Sequence, residues 1–269
     1  MFFATFVLST GRCGTQWLAE HLAENYGDTL AVTHEPLHQR YSTRAMLSAA
    51  TPEGLAPASA RPILEHMEFV EQQLKQRDYL ECGHPCWSSI PYLAQRFEGR
   101  IRVVHLMRHP VLTACSWLTQ VAFQTPRLPH LQERVLMSPM DPGAALGEYR
   151  ERWTSMSAYE KCLYYWAEVN GFGLNQQKQL GIPWLQLRFE DLFGGQGLDN
   201  LLDFLGLPRR PAIFEARTRT VDRFRYLSFD GDTSLSLALH PKIDAIAKEL
   251  GYNLSTPINT RERQRYFGR

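Results

Sequence analysis

Phe6-Val7-Leu8-Ser9-Thr10-Gly11-Arg12-Cys13-Gly14-Thr15-Gln16-Trp17 is the stretch on which the reading of the fold turns. An apolar run, a turn holding two glycines and the start of a helical pattern follow one another without a gap. Successive backbone N–H groups in such a turn, with those at the N-terminus of the next helix, form a concavity suited to a phosphate or sulfate. A nucleoside-triphosphate loop needs glycine at position 9, lysine at position 15 and then serine or threonine to hold magnesium. Those places hold Ser9, Thr15 and Gln16. The turn keeps the anion cradle, lacks the lysine and the magnesium ligand, and carries a cation of its own, Arg12.

Outward from this turn, short β-branched or aromatic runs alternate with longer helical patterns, as in βαβ units around a buried parallel sheet. Strands are expected over Phe2 to Leu8, Leu30 to Thr33, Tyr79 to Glu81, Arg102 to Leu106 and Trp184 to Leu187. Helices are expected over Thr15 to Glu24, Ile63 to Arg77, Ile90 to Phe97, Pro110 to Thr119, Ser157 to Gln179, Leu198 to Leu205 and Lys242 to Leu250. The helical period is clearest in Trp17, Leu18, His21 and Leu22, and again in Leu163, Trp166, Ala167 and Asn170. The fold class is therefore α/β, a single three-layer domain with a central parallel sheet flanked by helices. Its expected extent is residues 1–255, followed by a basic tail over 256–269 whose arginines 261, 263, 265 and 269 are expected in solvent. Two proline-bearing stretches, Ser48 to Pro62 and Gln124 to Gly143, break the alternation and read as irregular loops, either plain surface or elements that shape an acceptor pocket.

The composition sets limits. A chain of 269 residues, 44% hydrophobic and 21% charged, is long enough to bury a sizeable core. With 29 Lys and Arg against 28 Asp and Glu, it has no charge excess that would draw it to nucleic acid or an anionic membrane. Any anion site must be local. The five cysteines, Cys13, Cys82, Cys86, Cys115 and Cys162, are odd in number and scattered, which fits a reducing, cytoplasmic setting better than a disulfide framework. The opening MFFATFVLST lacks a basic lead and a small-residue cleavage site and is expected to be the first strand. No stretch reaches the ~20 uninterrupted apolar residues of a membrane span.

Two further strings carry chemistry. Val103 to Pro110 reads as a strand ending in Arg108, with Pro110 suited to the first turn of a helix that carries Ser116 eight residues after the arginine. Val32-Thr33-His34-Glu35-Pro36-Leu37-His38 places a carboxylate at a strand's C-terminal end, where open α/β sheets bind their ligands. His34 and His38 are rivals to Glu35 as proton acceptor, because imidazole titrates near neutrality, although a packing or surface role is the commoner fate of a histidine. In YLECGHPCW, Glu81 and His84 also lie at a strand end, in reach of an acceptor. Cys82, His84 and Cys86 in that string invite a zinc reading, but strand alternation separates their faces and no fourth ligand lies nearby, so no metal is expected.

Taken together, these strings resemble the P-loop (nucleotide-kinase-like) sulfotransferases, which use 3′-phosphoadenosine 5′-phosphosulfate (PAPS). The first turn resembles the family's PAPS loop. By that resemblance Arg12 contacts the 5′-phosphate and the transferring sulfuryl group, Cys13, Gly14, Thr15 and Gln16 supply donors, and Trp17 stacks on adenine. Arginine at position 12, cysteine at 13 and glutamine at 16 depart from the commonest cytosolic pattern, and the arginine is the habit of the carbohydrate and tyrosine branches. LMRHPVLTACSWL is similar to the 3′-phosphate motif, which assigns that phosphate to Arg108 and Ser116. His34 to Leu37 resembles the Glu-Pro-Leu motif of carbohydrate sulfotransferases, in which the glutamate is the general base, whereas the cytosolic branch uses a histidine. Leu187-Arg188-Phe189-Glu190-Asp191-Leu192 resembles the Arg-Tyr-Glu-Asp-Leu signature, with Arg188 pairing internally. The basic stretch Arg217, Arg219, Arg223 and Arg225 matches the family's nucleotide-covering segment loosely.

The resemblance implies sulfuryl transfer from PAPS, with PAP as product and no metal, to a hydroxyl or amine of a small-molecule or carbohydrate acceptor. Glu35 would be the base, with His34 and His84 as alternatives, and Arg12 would stabilise the transferring group. No nucleic-acid or membrane partner is expected. Two other readings use the same residues: a small-molecule kinase with a degenerate loop, and a nucleotide-binding module without catalysis.

Overall fold

β1 (Ala4–Leu8) is buried along its whole length, because it lies between β3 (Asp78–Cys82) and β4 (Ile101–Met107) in a five-stranded, all-parallel sheet of order β2-β3-β1-β4-β5. β2 (Leu30–His34) and β5 (Trp184–Arg188) are the edges of this sheet. The computed structural model describes residues 1–125, 128, 131–215, 241–255, 258 and 266. Among them the helices are α1 (Thr15–Tyr26), α2 (Thr43–Ala49), α3 (Pro57–Gln73), α4 (Ile90–Arg96), α5 (Pro110–Leu118), α6 (Ala158–Leu180), α7 (Phe189–Gly194), α8 (Gly197–Leu205), α9 (Pro211–Glu215) and α10 (Pro241–Glu249).

Side chains alternate across a strand, and that alternation divides the interior in two. Ala4, Phe6 and Leu8 of β1 join Tyr79, Val103 and Met107 in a core closed by α3, α4, α5, α6 and α10. Val7 joins Leu80, Val104, Leu106 and Leu187 against α1, α8 and α9 on the other face. The result is the expected three-layer α/β architecture with its parallel sheet in the middle.

α5 is buried at every one of its residues, which requires an apolar helix on all sides. Its start is set by Pro110 at the first turn and by His109, whose Nδ1 accepts from the Val111 N–H at 3.3 Å. α6 begins with a reciprocal capping box between Ser157 and Glu160 and ends at Gly181 in the left-handed conformation. Two tryptophan indoles on these helices hold the ends of central strands. Trp117 Nε1 donates to Thr10 O at 3.2 Å and Trp166 Nε1 to Arg108 O at 2.9 Å.

Both expected irregular stretches contain more structure than the sequence reading allowed. Within Ser48 to Pro62, α2 runs to Ala49, a 3-10 turn spans Pro52–Gly54 and α3 already begins at Pro57. In the second stretch a π-helical turn covers Leu131–Val135, and prolines 126 and 129 lie outside the described residues. The segment is fastened to its neighbours. Thr43 Oγ1 donates to Arg134 O and Val135 O, and Arg44 donates to Gln132 O and pairs with Asp141. Glu168 of α6 accepts from the Ala145 and Leu146 N–H groups. All five cysteines are free and buried. No helix among the described residues is long and apolar enough to cross a membrane.

Candidate active site

The loop between β1 and α1 takes its shape from left-handed backbone. Gly11, Arg12 and Gly14 have φ of 76°, 60° and 88°. Ser9 Oγ accepts from the Gly11 N–H at 3.0 Å, and Cys13 Sγ donates to Gly11 O at 3.1 Å. The Cys13 thiol is pushed up by burial, so it stays protonated and serves the turn itself. The glycines are required by contact as well as by conformation. A Cβ at Gly11 would stand 3.0 Å from His84 Cγ and 3.1 Å from the Trp117 ring; one at Gly14 would stand 3.2 Å from both Phe189 and Phe193.

The two sequence motifs that predict anion contacts meet on this loop. Arg12 Nε donates to Ser116 Oγ at 2.9 Å, and Arg108 NH1 donates to Arg12 O at 3.2 Å. Arg108 is 7% exposed, and its Nε has no hydrogen-bond partner among the described residues. Its guanidinium lies 4.4 Å from the centre of the Phe189 ring. An arginine carries five N–H donors and no acceptor, so a buried one with an idle donor is suited to an anion. Thr15 Oγ1 is 3.4 Å from His34 Nε2, whereas Gln16 donates back along α1 to Glu20 at 3.0 Å. Trp17 is 3% exposed in the α1-side core, edge-on to Phe193 at 4.7 Å and beside His21 at 4.8 Å.

Across the crevice, β2 and β3 run parallel with His34 opposite Cys82, which brings Glu35 to His84. Glu35 has φ 45°, its N–H donates to Cys82 O at 3.0 Å, and its Oε1 is 2.8 Å from His84 Nδ1. A Cβ at Gly83 would stand 2.7 Å from Glu35 Cγ, so the glycine makes room for the carboxylate. Burial alone would raise the Glu35 carboxyl, but the charge and hydrogen bond of His84, backed by His34 and His38, outweigh it and hold the group at about 2. An ionised carboxylate offers only lone pairs, so His84 donates from Nδ1. His84 Nε2 is buried without a hydrogen-bond partner among the described residues. His34 is 3.9 Å from Glu35 Oε1, with its pKa lowered by burial. His38 is exposed, one turn beyond.

Glu81 does not reach the crevice. Strand alternation turns it to the side of Tyr79 and α3, where it is 1% exposed and 2.7 Å from His66 Nε2; it is not an acceptor contact in this structure. Cys86 Sγ lies against Val7 O and Gly83 O, and no group of three or more potential metal ligands occurs among the described residues. In the Arg188 string, Arg188 grips Asp191 through two bonds of 2.7 and 3.0 Å. Glu190 accepts from the His109 N–H at 3.0 Å and the Tyr252 hydroxyl at 2.9 Å. Sequence reasoning missed Glu190, Phe189 and Phe193 as neighbours of the anion loop; the string pointed to the place but not to their roles. Arg217, Arg219, Arg223 and Arg225 lie outside the described residues, as do arginines 261, 263, 265 and 269. Tyr266, in the segment expected to be a tail, is buried 5.8 Å from the Arg108 guanidinium.

The site thus sets two arginines and a serine around a glycine turn, with a carboxylate–imidazole pair against the same turn. Such a set can hold an anion and accept a proton beside it. No protein-family model and no curated protein matches the sequence. Solved structures do. A sulfotransferase domain from the curacin biosynthetic pathway aligns with a TM-score of 0.52 at 17% identity, over 94% of this chain and 99% of that one. A sulfotransferase from Alicyclobacillus acidocaldarius aligns with a TM-score of 0.51 at 15% identity, over 95% and 98%. At such identity the likeness is one of architecture, and by architecture this chain has the sulfotransferase fold.

Proposed function

We propose that the chain transfers a sulfuryl group from PAPS to a hydroxyl or amine of a small-molecule or carbohydrate acceptor. The observation that carries this reading is the joining of Arg12, Ser116 and Arg108 on a glycine turn that also touches His84. Two features fit a nucleotide with phosphates at both ends: the idle, buried Arg108 Nε and the left-handed backbone of Gly11 and Gly14, which curls the turn into a nest of N–H groups.

In this reading Arg108 and Ser116 hold the 3′-phosphate, and charge-assisted bonds to it separate PAPS from ADP. Backbone donors from Cys13 to Gln16 and the guanidinium of Arg12 face the 5′-phosphate. Trp17 lies beneath Phe193, so stacking of adenine on it needs Phe193 to move aside. The acceptor oxygen or nitrogen attacks sulfur in line, the bond from sulfur to the 5′-phosphate breaks, and PAP leaves with the electron pair. Arg12 offsets the charge that gathers on that phosphate. Sulfuryl carries less charge than a terminal phosphoryl group, so the magnesium of phosphoryl transfer is not needed.

Glu35 and His84 work as one unit. A carboxylate held near 2 is by itself a weak proton acceptor at neutral pH. Bound to Nδ1–H of His84, it fixes the ring so that the lone pair lies on Nε2, takes up the charge when the acceptor's proton arrives there, and supplies the basic partner that the sequence assigned to Glu35. The test is PAP release from PAPS across a panel of alcohol, amine and sugar acceptors, with and without EDTA. Release that survives EDTA and stops in Arg12→Ala is expected. Phosphate transfer from ATP with magnesium in its place would favour the kinase reading.

A further inference from the structure

Behind the Glu35–His84 pair lies a polar cluster that the proposed chemistry leaves unused. Glu81 Oε2 accepts from His66 Nε2 of α3 at 2.7 Å and from the Tyr79 hydroxyl at 3.1 Å. That hydroxyl is also 2.6 Å from Thr33 Oγ1 on β2. Glu81 is 1% exposed and Tyr79 fully buried. Tyr41, beyond the turn that follows Glu35, is buried too, and burial together with the Glu81 charge pushes its phenol well above the ordinary value.

A buried carboxylate is costly unless paired and hydrogen-bonded, and replacing such a pair by apolar side chains often leaves stability unchanged or raised. What a satisfied buried network does supply is rigidity. The strand register says what this one holds rigid. Thr33 and Glu81 are directly opposite on β2 and β3, His34 and Cys82 are the next pair, and Glu35 then donates to Cys82 O. Glu35 lies two residues beyond Thr33 and His84 three beyond Glu81, so the cluster clamps both strands just before they deliver the pair.

We infer that Glu81 is a positioning residue, which with His66, Tyr79 and Thr33 locks the ends of β2 and β3 and so keeps Glu35 Oε1 in hydrogen-bond reach of His84 Nδ1. The functional weight of this inference rests on the role proposed above for Glu35 and His84, but the geometry can be tested without turnover. Ring-nitrogen NMR of the ¹⁵N-histidine-labelled full chain reads the His84 tautomer directly, with His84→Asn used to assign the signals. In the wild type one tautomer, protonated at Nδ1, is expected. Tyr79→Phe, which removes a single hydroxyl, and Glu81→Gln should give a mixture of tautomers while PAP affinity changes less than twofold, and kcat should fall about tenfold. An unchanged His84 spectrum in folded Tyr79→Phe overturns the inference even if Glu81→Gln fails to fold. Absence of any turnover by the wild type would count against sulfuryl transfer and leave the tautomer result to stand or fall alone.

Discussion

Arg12 and Glu35 both hold a left-handed backbone conformation, with φ of 60° and 45°, that costs an L-residue roughly 1–2 kcal/mol. Strain of this kind persists where the surroundings over-determine it, and it gathers at working sites. Each of the two is pinned by partners distant in sequence: Arg12 by Ser116 and Glu35 by His84. This is why Arg12, Arg108, Ser116 and Glu35 could be picked from the sequence by motif, while their mutual contacts could not. Nothing in a string of residues shows that the loop cation rests on the serine 104 positions away. Arg108→Ala should weaken PAP binding by about 10- to 100-fold, the usual worth of a charge-assisted bond. Adenosine 5′-phosphosulfate, which lacks the 3′-phosphate, should lose less than threefold; equal losses in titration calorimetry would make Arg108 a support of the loop instead. Glu35 gives a pH test. Its carboxyl sits at about 2 in the folded chain against an ordinary 4.5, so the folded state binds fewer protons than the unfolded one between those values. The stability this contributes is complete above about pH 4.5 and is lost as pH falls toward 2. Urea unfolding of wild type and Glu35→Gln should therefore differ more at pH 6 than at pH 3, by about 2 kcal/mol. A gap that does not change with pH would mean that the carboxylate is not held ionised by His84.

Among the elements, all five strands were legible because strands of a parallel sheet are short apolar or β-branched runs bounded by turn residues. The helices α1, α6 and α8 were found from their helical period, and α5 from its apolar run opened by Pro110. The failures have physical causes as well. Pro57 and Pro62 read as breakers, yet Pro57 occupies the first helical turn, where no N–H bond is lost. Pro62 deprives only Ala58 of a partner, and Ala58 is exposed to water. α2 is seven residues long, and its contacts with the 131–135 turn rather than its own period hold it in place. The β1–α1 element yields a sharp test. Gly11→Ala forces a side chain into the left-handed region and toward His84 and Trp117, so it should cost about 1–3 kcal/mol of stability and abolish PAP binding. Wild-type affinity in that variant, by the same calorimetry, would mean that the turn can open without loss of the cradle.

Taken whole, the molecule gathers its chemistry at one edge of its sheet. The anion loop follows β1, Glu35 follows β2, His84 follows β3, Arg108 follows β4 and Phe189 follows β5. The order β2-β3-β1-β4-β5 puts the loop at the centre, with Glu35 and His84 on one side and Arg108 on the other. Open α/β sheets bind ligands at this edge, and the fold alone admits kinases and silent binding modules as readily as transferases. The choice rests on which nucleotide the native state prefers. The most direct measurement is the melting temperature of the full chain with PAP, with ADP and with ATP plus magnesium at equal concentrations. Ligand at a hundred times its Kd stabilises the native state by about 2.7 kcal/mol, several degrees for a domain of this size. A rise of that size with PAP and little with the other two is expected; an equal or larger rise with ATP and magnesium would contradict sulfuryl transfer from PAPS.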